Sequence, residues 1–204
     1  MKKLSYLLIV AFIFSIGIIG CNDTNDNPQD VPADKNGQEW KATIEENIVI
    51  EGMEETITLE LFEGNNNFVT YIPESMAVET EFASDGDFYW FYWMHEENIN
   101  EDVYLQLYFY PEAVTETPSL SKTENLKLVD DTEKIYNWSI GEYTSSFEAD
   151  NSFYAMIGKH EEQYFSIVLH YPWEYGDGLN PRFNKIIEHF YWTDTDKYLN
   201  SNSI

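Results

Sequence analysis

Two of the four histidines are each followed by a pair of glutamates, which combines the side chains used in metal binding and acid–base chemistry. His95 and His160 begin these His-Glu-Glu runs, and both runs lie where a predicted strand ends. Imidazole nitrogens and carboxylate oxygens bind zinc, but zinc sites need further ligands at defined spacings. The chain has no His-Glu-x-x-His motif, and no two histidines lie within one helical turn of each other. We therefore interpret both runs as turns and predict no metal site from them.

Other catalytic signatures are incomplete in this sequence. Asp23, Asn25 and Asn27 match the first ligand positions of a calcium loop. However, Pro28 stands where that loop needs glycine, and Asp34 where it normally has a bidentate glutamate. There is no Gly-x-Ser-x-Gly elbow and no glycine-rich phosphate loop. Acids are so numerous that paired-carboxylate hydrolysis stays open, although no pair is singled out. The sequence thus predicts no catalytic residue, no metal and no cofactor.

Aromatic residues are concentrated in two predicted strands, residues 88–94 and 103–110. Because side chains alternate between strand faces, the second strand has one wholly apolar face and one that carries hydroxyl groups. The candidate binding residues are Trp90, Tyr92, Tyr104, Tyr108 and Tyr110. A half-exposed Tyr and Trp surface can stack on flat ligands or sugar rings, or contact a protein partner. The alternative, which sandwich folds favour, is that a helix such as residues 181–192 covers it.

The only cysteine, Cys21, follows a basic start and an uncharged apolar run that suits an export signal. The motif Ile18-Ile19-Gly20-Cys21 resembles the bacterial lipobox, in which an aliphatic and a small residue precede an obligatory cysteine. The resemblance implies that Cys21 carries a diacylglyceryl group and that residues 1–20 are a cleaved signal peptide. Two or more acyl chains give stable anchoring. The alternative is an uncleaved membrane helix, for which the run is slightly short.

The segment after the cysteine contains almost nothing to bury. Residues 22–39 are therefore predicted to be a disordered tether, and a chain of that length spans roughly 25 Å. We expect a signal peptide over 1–20, the lipidated cysteine and tether over 21–39, and a single acidic α+β domain over 40–204. The predicted location is the extracytoplasmic face of the cell membrane, with the lipid bilayer as a partner through acylated Cys21.

The chain is strongly acidic, with 37 Asp and Glu against 11 Lys and Arg and a formal net charge of −26. Such a charge repels nucleic acid and anionic headgroups, so we exclude both as partners of the folded domain. Scattered acids most often form a solvated surface, which is the interpretation we favour. An acidic face that binds a cationic partner or calcium is the alternative.

Strand patterns dominate from Trp40 onward. We predict strands over residues 44–50, 57–61, 68–72, 76–82, 88–94, 103–110, 135–140, 153–159 and 164–171. Turns are expected at residues 51–54 and 64–67, and Asp85-Gly86-Asp87 is typical of a hairpin.

Two helices accompany these strands. Residues 118–131 have sparse apolar positions and are interpreted as a helix. A clearer helix follows a Gly-Asp-Gly loop at residues 176–178, with Asn180 as N-cap and Pro181 at the first helical position. Its apolar residues at helical spacing are Phe183, Ile186, Ile187 and Phe190. The predicted fold class is α+β, a mainly antiparallel curved sheet with one or two packed helices, of which the C-terminal helix is the clearest.

Three motifs carry a family resemblance, namely the strand-then-proline segment at 68–74, the strand at 164–172 and a helix that ends at 186–190. Through these motifs, residues 68–192 loosely resemble PsbP-like domains. This chain has Met76 where that family usually has tryptophan, and His189 where a serine often precedes the final phenylalanine. The resemblance implies a curved antiparallel sheet sandwiched by helices, a fold used mainly for binding and assembly. It transfers no catalytic residue.

These patterns favour a membrane-tethered, non-enzymatic binding or accessory domain with an unknown protein or glycan ligand. One alternative is an extracytoplasmic hydrolase that acts on envelope material through paired carboxylates. Another is a structural protein whose acidity hydrates the envelope. An uncovered Tyr and Trp surface would favour the first function, whereas two convergent carboxylates in an exposed cleft would favour the hydrolase.

Overall fold

The computed structural model describes residues 40–120, 126–145 and 150–200, which form two β-sheets and an α-helix. The strands are β1 (Thr43–Ile50), β2 (Met53–Gly64), β3 (Phe68–Pro73), β4 (Met76–Ala83), β5 (Gly86–His95), β6 (Asn98–Phe109), β7 (Leu126–Leu128), β8 (Gly141–Ser145), β9 (Asn151–His160), β10 (Gln163–Pro172), β11 (Tyr191–Trp192) and β12 (Lys197–Tyr198). A 3₁₀ turn at Trp173–Tyr175 leads into helix α1, Gly176–Glu188.

The strands pair in two antiparallel sheets. The five-stranded sheet has the order β1-β2-β3-β11-β12, and the seven-stranded sheet the order β4-β5-β6-β10-β9-β8-β7. The prediction of a mainly antiparallel α+β fold is confirmed. Eight of the nine predicted strands are present within a few residues of their expected bounds. Within the described residues, no helix is both long and apolar enough to cross a membrane.

The predicted hairpin turns are confirmed, and their backbone angles explain them. Glu51 and Gly52 join β1 to β2 with φ values of 49° and 80°. Positive φ at both central residues gives a twist that matches the flanking strands, and Gly52 adopts it without strain. Gly86 has φ 138° where β4 turns into β5, and a Cβ there would lie 2.1 Å from the ring of Tyr108. Only glycine fits that position.

The main core lies on the inner face of the seven-stranded sheet. As the alternation in β6 predicted, Val103, Leu105, Leu107 and Phe109 are all buried. They join one apolar cluster with residues from β3 and with the inner side of helix α1, namely Leu179, Phe183, Ile186 and Ile187. The amphipathic spacing of α1 therefore serves this face of the sheet, and the predicted C-terminal helix is confirmed.

Helix α1 begins one turn earlier than the sequence predicted. Residues 176–178 are helical instead of forming a loop, and Pro181 lies inside the helix. The physical reason is burial: Leu179 is 2% exposed and lies one turn before the fully buried Phe183. Packing of both side chains in the core stabilises the extra turn more than the hydrogen bond lost at the proline weakens it.

The predicted helix over 118–131 is wrong where the structure describes it. Residues 118–120 have no regular structure, and Leu126–Leu128 is strand β7, which pairs with β8 at the sheet edge. Residues 121–125 lie outside the described residues. The physical reason is that Leu120 and Leu126 pack on a sheet face instead of along one helical stripe.

The predicted strand over 135–140 is also wrong, since turns occupy residues 131–138. The carboxylate of Glu142 accepts hydrogen bonds from the backbone N–H groups of Ile135 and Tyr136, each at 2.9 Å. Those donors would otherwise pair with a neighbouring strand. A buried side chain therefore replaces the sheet as the acceptor, and alternating apolar residues alone could not reveal this.

Candidate functional site

The outer face of the seven-stranded sheet gathers the aromatic residues that the sequence singled out. Residues directly opposite in the register share a face, and Phe88 lies opposite Tyr108, as Tyr92 does opposite Tyr104. Tyr110 follows on the same side of the sheet. All five predicted binding residues are half-buried, as expected of an outer face. Phe88 belongs with them, although it was not among the candidates.

Four of these side chains form what we call the aromatic platform, namely Phe88, Trp90, Tyr92 and Tyr108. The Phe88 ring stacks on Tyr108 with centroids 4.3 Å apart, and on Trp90 at 5.1 Å with the planes only 8° apart. The hydroxyl of Tyr108 donates to the carbonyl oxygen of Asp85 at 2.5 Å. These contacts hold the rings of Phe88, Trp90 and Tyr108 as a continuous surface, because each ring limits the rotamers of the next, whereas Tyr92 has a T-shaped contact with Tyr104.

Helix α1 does not cover the platform, so the expected covering by residues 181–192 is wrong. Its apolar side chains pack with Phe91 and Leu105, which point to the inner face of the sheet. The inner face is predominantly apolar, and the hydroxyls of its buried Tyr89 and Tyr171 donate to Asn66 and Asn180, so packing of the helix there leaves neither hydroxyl without a partner. Among the described residues, none of the three apolar clusters includes a platform residue.

Tyr104 and Tyr110, two of the predicted binding residues, have different surroundings. Both pack against the buried cluster that includes Tyr143 and Val168, and Val114 and Leu120 from the segment after β6 pack against the same cluster. The ring of Tyr104 also stacks on His170, with centroids 5.0 Å apart. The segment that follows β6 therefore folds back over one end of the outer face. The platform occupies the other end, toward the edge strand β4.

Carboxylates surround the platform, and we call Glu79, Glu81, Asp85, Asp87 and Glu101 the acidic rim. Glu79 lies directly opposite Trp90, and Glu81 opposite Phe88, so both project from the outer face of β4. Burial raises the pKa of Tyr92, and the nearby charges of Glu79 and Glu101 raise it further.

Carboxylates also border the other end of the platform, next to Tyr108. Burial raises the pKa of Tyr108, and the charges of Asp85 and Asp87 add to that rise. An aromatic ring surface bordered by negative charge disfavours anions and favours cations. The platform thus combines exposed apolar area with one sign of charge.

A polar cleft of about 700 Å³ lies at one end of this sheet, lined by residues that include Asn66, Asp87, His160 and Asp194. The Nε2 atom of His160 lies 2.9 Å from each carboxylate oxygen of Asp194. Its ring stacks on the buried Trp192 at 3.7 Å, with the planes 4° apart. Both contacts fix the imidazole as part of the fold. Sequence reasoning missed this group because His160 lies more than thirty positions from both Trp192 and Asp194.

The two His-Glu-Glu runs lie in turns, as the sequence predicted. Glu96 and Glu97 have φ values of 47° and 67° between β5 and β6, and Glu161 has φ 50° between β9 and β10. Among the described residues, no three His, Cys, Asp or Glu side chains are close enough to hold a metal ion. The incomplete calcium loop and Cys21 both lie outside the described residues.

The buried carboxylate of Glu142 is part of the fold. Besides the two backbone donors, it accepts hydrogen bonds from Ser139, at 2.6 Å, and from Tyr154. Burial alone raises the pKa of the Glu142 carboxyl, but these hydrogen bonds outweigh it and hold the pKa below its ordinary value. Burial together with the charge of Glu142 raises the pKa of Tyr136 to about 12.

A second carboxylate network ties the helix to the first strand. Glu46 lies 2.7 Å from the Nζ atom of Lys185 and 2.8 Å from Nε2 of His189. Burial raises the pKa of Glu46, yet the hydrogen bonds from Lys185 and His189, together with the charge of Lys185, lower it overall. A general acid for hydrolysis needs a raised carboxyl pKa. These two carboxyls have lowered pKa values, so the hydrolase alternative gains no support.

Comparison with known proteins adds a structural likeness. No family model matches the chain, and no curated protein matches it. The fold is similar to the solution structure of cyanobacterial PsbP (CyanoP) from Synechocystis sp. PCC 6803. That similarity has a TM-score of 0.39 and 12% sequence identity, and it covers 66% of this chain and 92% of that chain. No activity or residue role passes from that protein to this chain.

Proposed function

We propose that this chain is a membrane-tethered extracytoplasmic lipoprotein whose folded domain binds a partner through the aromatic platform and performs no catalysis. The observation that carries the proposal is the position of helix α1. It packs on the inner face of the seven-stranded sheet and leaves four aromatic residues, three of them stacked, on the outer face outside every apolar cluster of the described residues.

The composition of the platform supports binding in physical terms. Exposed aromatic rings gain free energy when a partner removes them from water, and Trp and Tyr supply much of the energy of protein interfaces. The ring stacking of Phe88 with Trp90 and Tyr108 orders these side chains in advance. Binding of a partner therefore costs less conformational entropy of the platform side chains than it would if these side chains were mobile.

The anchor supports a function at the membrane surface. Cys21 closes the lipobox-like motif, and residues 22–39 separate it from Trp40, the first described residue. A tether of roughly 25 Å lets the domain reach other molecules of the same surface and raises its effective concentration for them. Weak binding by the platform is then sufficient.

Site-specific photo-cross-linking in intact cells tests the proposed function. A photoreactive amino acid replaces Trp90 in one variant and Glu60 in the control, since Glu60 is exposed on the five-stranded sheet. We expect a discrete cross-linked adduct from position 90 and none from position 60. The adduct should disappear when Tyr108→Ala is added. Equal adducts from both positions, or none from position 90, would contradict a binding role for the platform.

A further inference from the structure

We infer that the partner of the aromatic platform is a cationic polypeptide segment, rich in arginine and lysine, from another protein. The inference rests on the proposed function and adds the chemistry of the ligand. Its basis is the combination of stacked rings with the acidic rim, together with the distribution of charge along the chain.

The distribution of charge is extreme in this part of the molecule. Residues 42–121 contain no lysine and no arginine. Strands β4 to β6 and their turns, residues 76–109, contain eight Asp and Glu. The platform therefore lies in a stretch of chain that supplies no internal cation to its rings or to the rim. Charge of one sign beside apolar rings selects an oppositely charged partner and repels acidic ones.

The chain itself shows how such a pairing works. The guanidinium carbon of Arg182 lies 5.4 Å from the ring centre of Trp93, and its Nη2 atom lies 2.5 Å from Glu55. One arginine is thus held between an indole ring and a carboxylate. Trp90 and Glu79 offer the same two groups side by side on the outer face. Neither of the two cation–π contacts in the described residues involves a platform ring.

Arginine suits this surface for two reasons. Its planar guanidinium stacks on aromatic rings, and Trp is the strongest of the ring partners. Its N–H groups can at the same time donate to the carboxylates of Glu79 and Glu81, which adds charge-assisted hydrogen bonds. A segment with several cationic side chains can contact several rings, because Phe88, Trp90 and Tyr92 follow one another along the outer face of β5.

Two possible occupants of the platform, the chain's own tether and a second copy of the chain, fit it poorly. The tether, residues 22–39, contains five Asp and Glu and a single lysine, so the acidic rim repels it. A second copy of the chain brings a net charge of −26 to the same surface. Like charges placed opposite each other oppose association. The complementary partner is therefore a different, basic protein.

Binding of a fluorescent deca-arginine peptide to the full-length protein in a non-ionic detergent tests the inference. Trp90→Ala should raise the dissociation constant of the peptide about threefold to thirtyfold. Trp90→Phe should recover most of the lost affinity because a ring remains. Near-ultraviolet circular dichroism of each variant verifies that the fold is intact.

A matched pair of charge variants separates the site from general attraction. Glu79→Gln with Glu81→Gln should weaken binding at least about threefold more than Glu60→Gln with Glu63→Gln, which changes the net charge equally on the other sheet. Equal losses in the two pairs, or no effect of Trp90→Ala, would overturn the inference. A neutral glycan or an acidic protein as the adduct at position 90 would also overturn it, while the proposed binding function would stand.

Discussion

The side-chain hydroxyl of Thr70 donates a 2.6 Å hydrogen bond to the backbone carbonyl oxygen of Ile186. Thr70 is fully buried in strand β3, and Ile186 lies in the last turn of helix α1. Carbonyl groups in the last turn of a helix lack a partner within the helix. The bond therefore satisfies one of them and fixes the helix to the five-stranded sheet, on the side of the core away from the platform.

Replacement of Thr70 by valine tests this connection. Valine keeps the shape but leaves the Ile186 carbonyl without its donor, so we expect the free energy of unfolding to fall by about 1–3 kcal/mol. Thr70→Ser keeps the hydroxyl and should restore part of the loss. Thr80→Val, at an exposed position of β4, is the matched control and should change stability by less than about 0.5 kcal/mol. Urea unfolding measures all three, and a Thr70→Val variant as stable as the control would contradict the account.

Glu142 should make the stability of the domain depend on pH. Because hydrogen bonds hold its pKa below the ordinary value of 4.5, its charged form stabilises the fold. This contribution is complete above pH 4.5 and is lost as the pH falls through the lower pKa of the folded state. Glu142→Gln cannot accept all four hydrogen bonds and should cost roughly 3 kcal/mol at pH 7.

The difference in unfolding free energy between wild type and Glu142→Gln is the quantity to measure. It should shrink as the pH falls below 4.5, since protonated Glu142 also loses its acceptor role. Comparison of the two proteins cancels the relief of repulsion among the other acids, which affects both alike. A difference that stays constant from pH 7 to pH 3 would show that the Glu142 carboxylate is not responsible.

Local patterns in the sequence were sufficient to predict most of the sheet. The alternation in β6 predicted which residues face the core, and Leu105 and Leu107 are buried as expected. The Asp85-Gly86-Asp87 hairpin also determines the register of β4 against β5. From that register, Glu79 could have been placed beside Trp90 before the structure was known.

Contacts between distant residues could not be predicted in the same way. The turn at 131–138 depends on the buried acid Glu142, and the early start of α1 depends on the burial of Leu179. The attachment of the helix to the five-stranded sheet involves the bond between Thr70 and Ile186, which are 116 positions apart. No local pattern predicts such a long-range contact, and so the exposure of the candidate site could not be derived from the sequence.

The acidic surface should make the domain more stable in monovalent salt. Raising sodium chloride from about 20 mM to about 300 mM screens repulsion among the acids and should raise the melting temperature by several degrees. Calcium chloride at matched ionic strength should raise the melting temperature as much as sodium chloride does. A further increase with micromolar calcium alone would indicate a specific cation site and contradict the solvated-surface interpretation.

Cys21 is the residue on which the proposed anchor depends. Cys21→Ser should abolish metabolic labelling of the chain with a radioactive fatty acid, because serine offers no thiol for the diacylglyceryl group. Ser15→Ala, within the same apolar run, is the control and should label normally. Equal labelling of the wild type and Cys21→Ser would rule out the lipid anchor.

Neighbouring residues of β5 provide the most direct test that the platform is an open surface. Phe91 is 1% exposed on the inner face, and its replacement by alanine should lower the free energy of unfolding of the protein by about 3–5 kcal/mol. Trp90 is half-buried on the outer face, and its replacement by alanine should lower the free energy of unfolding by only about 1 kcal/mol, despite its larger ring. Urea unfolding of the two variants decides the matter. A loss at Trp90 as large as the loss at Phe91 would mean that the outer face is covered and is not available to a partner.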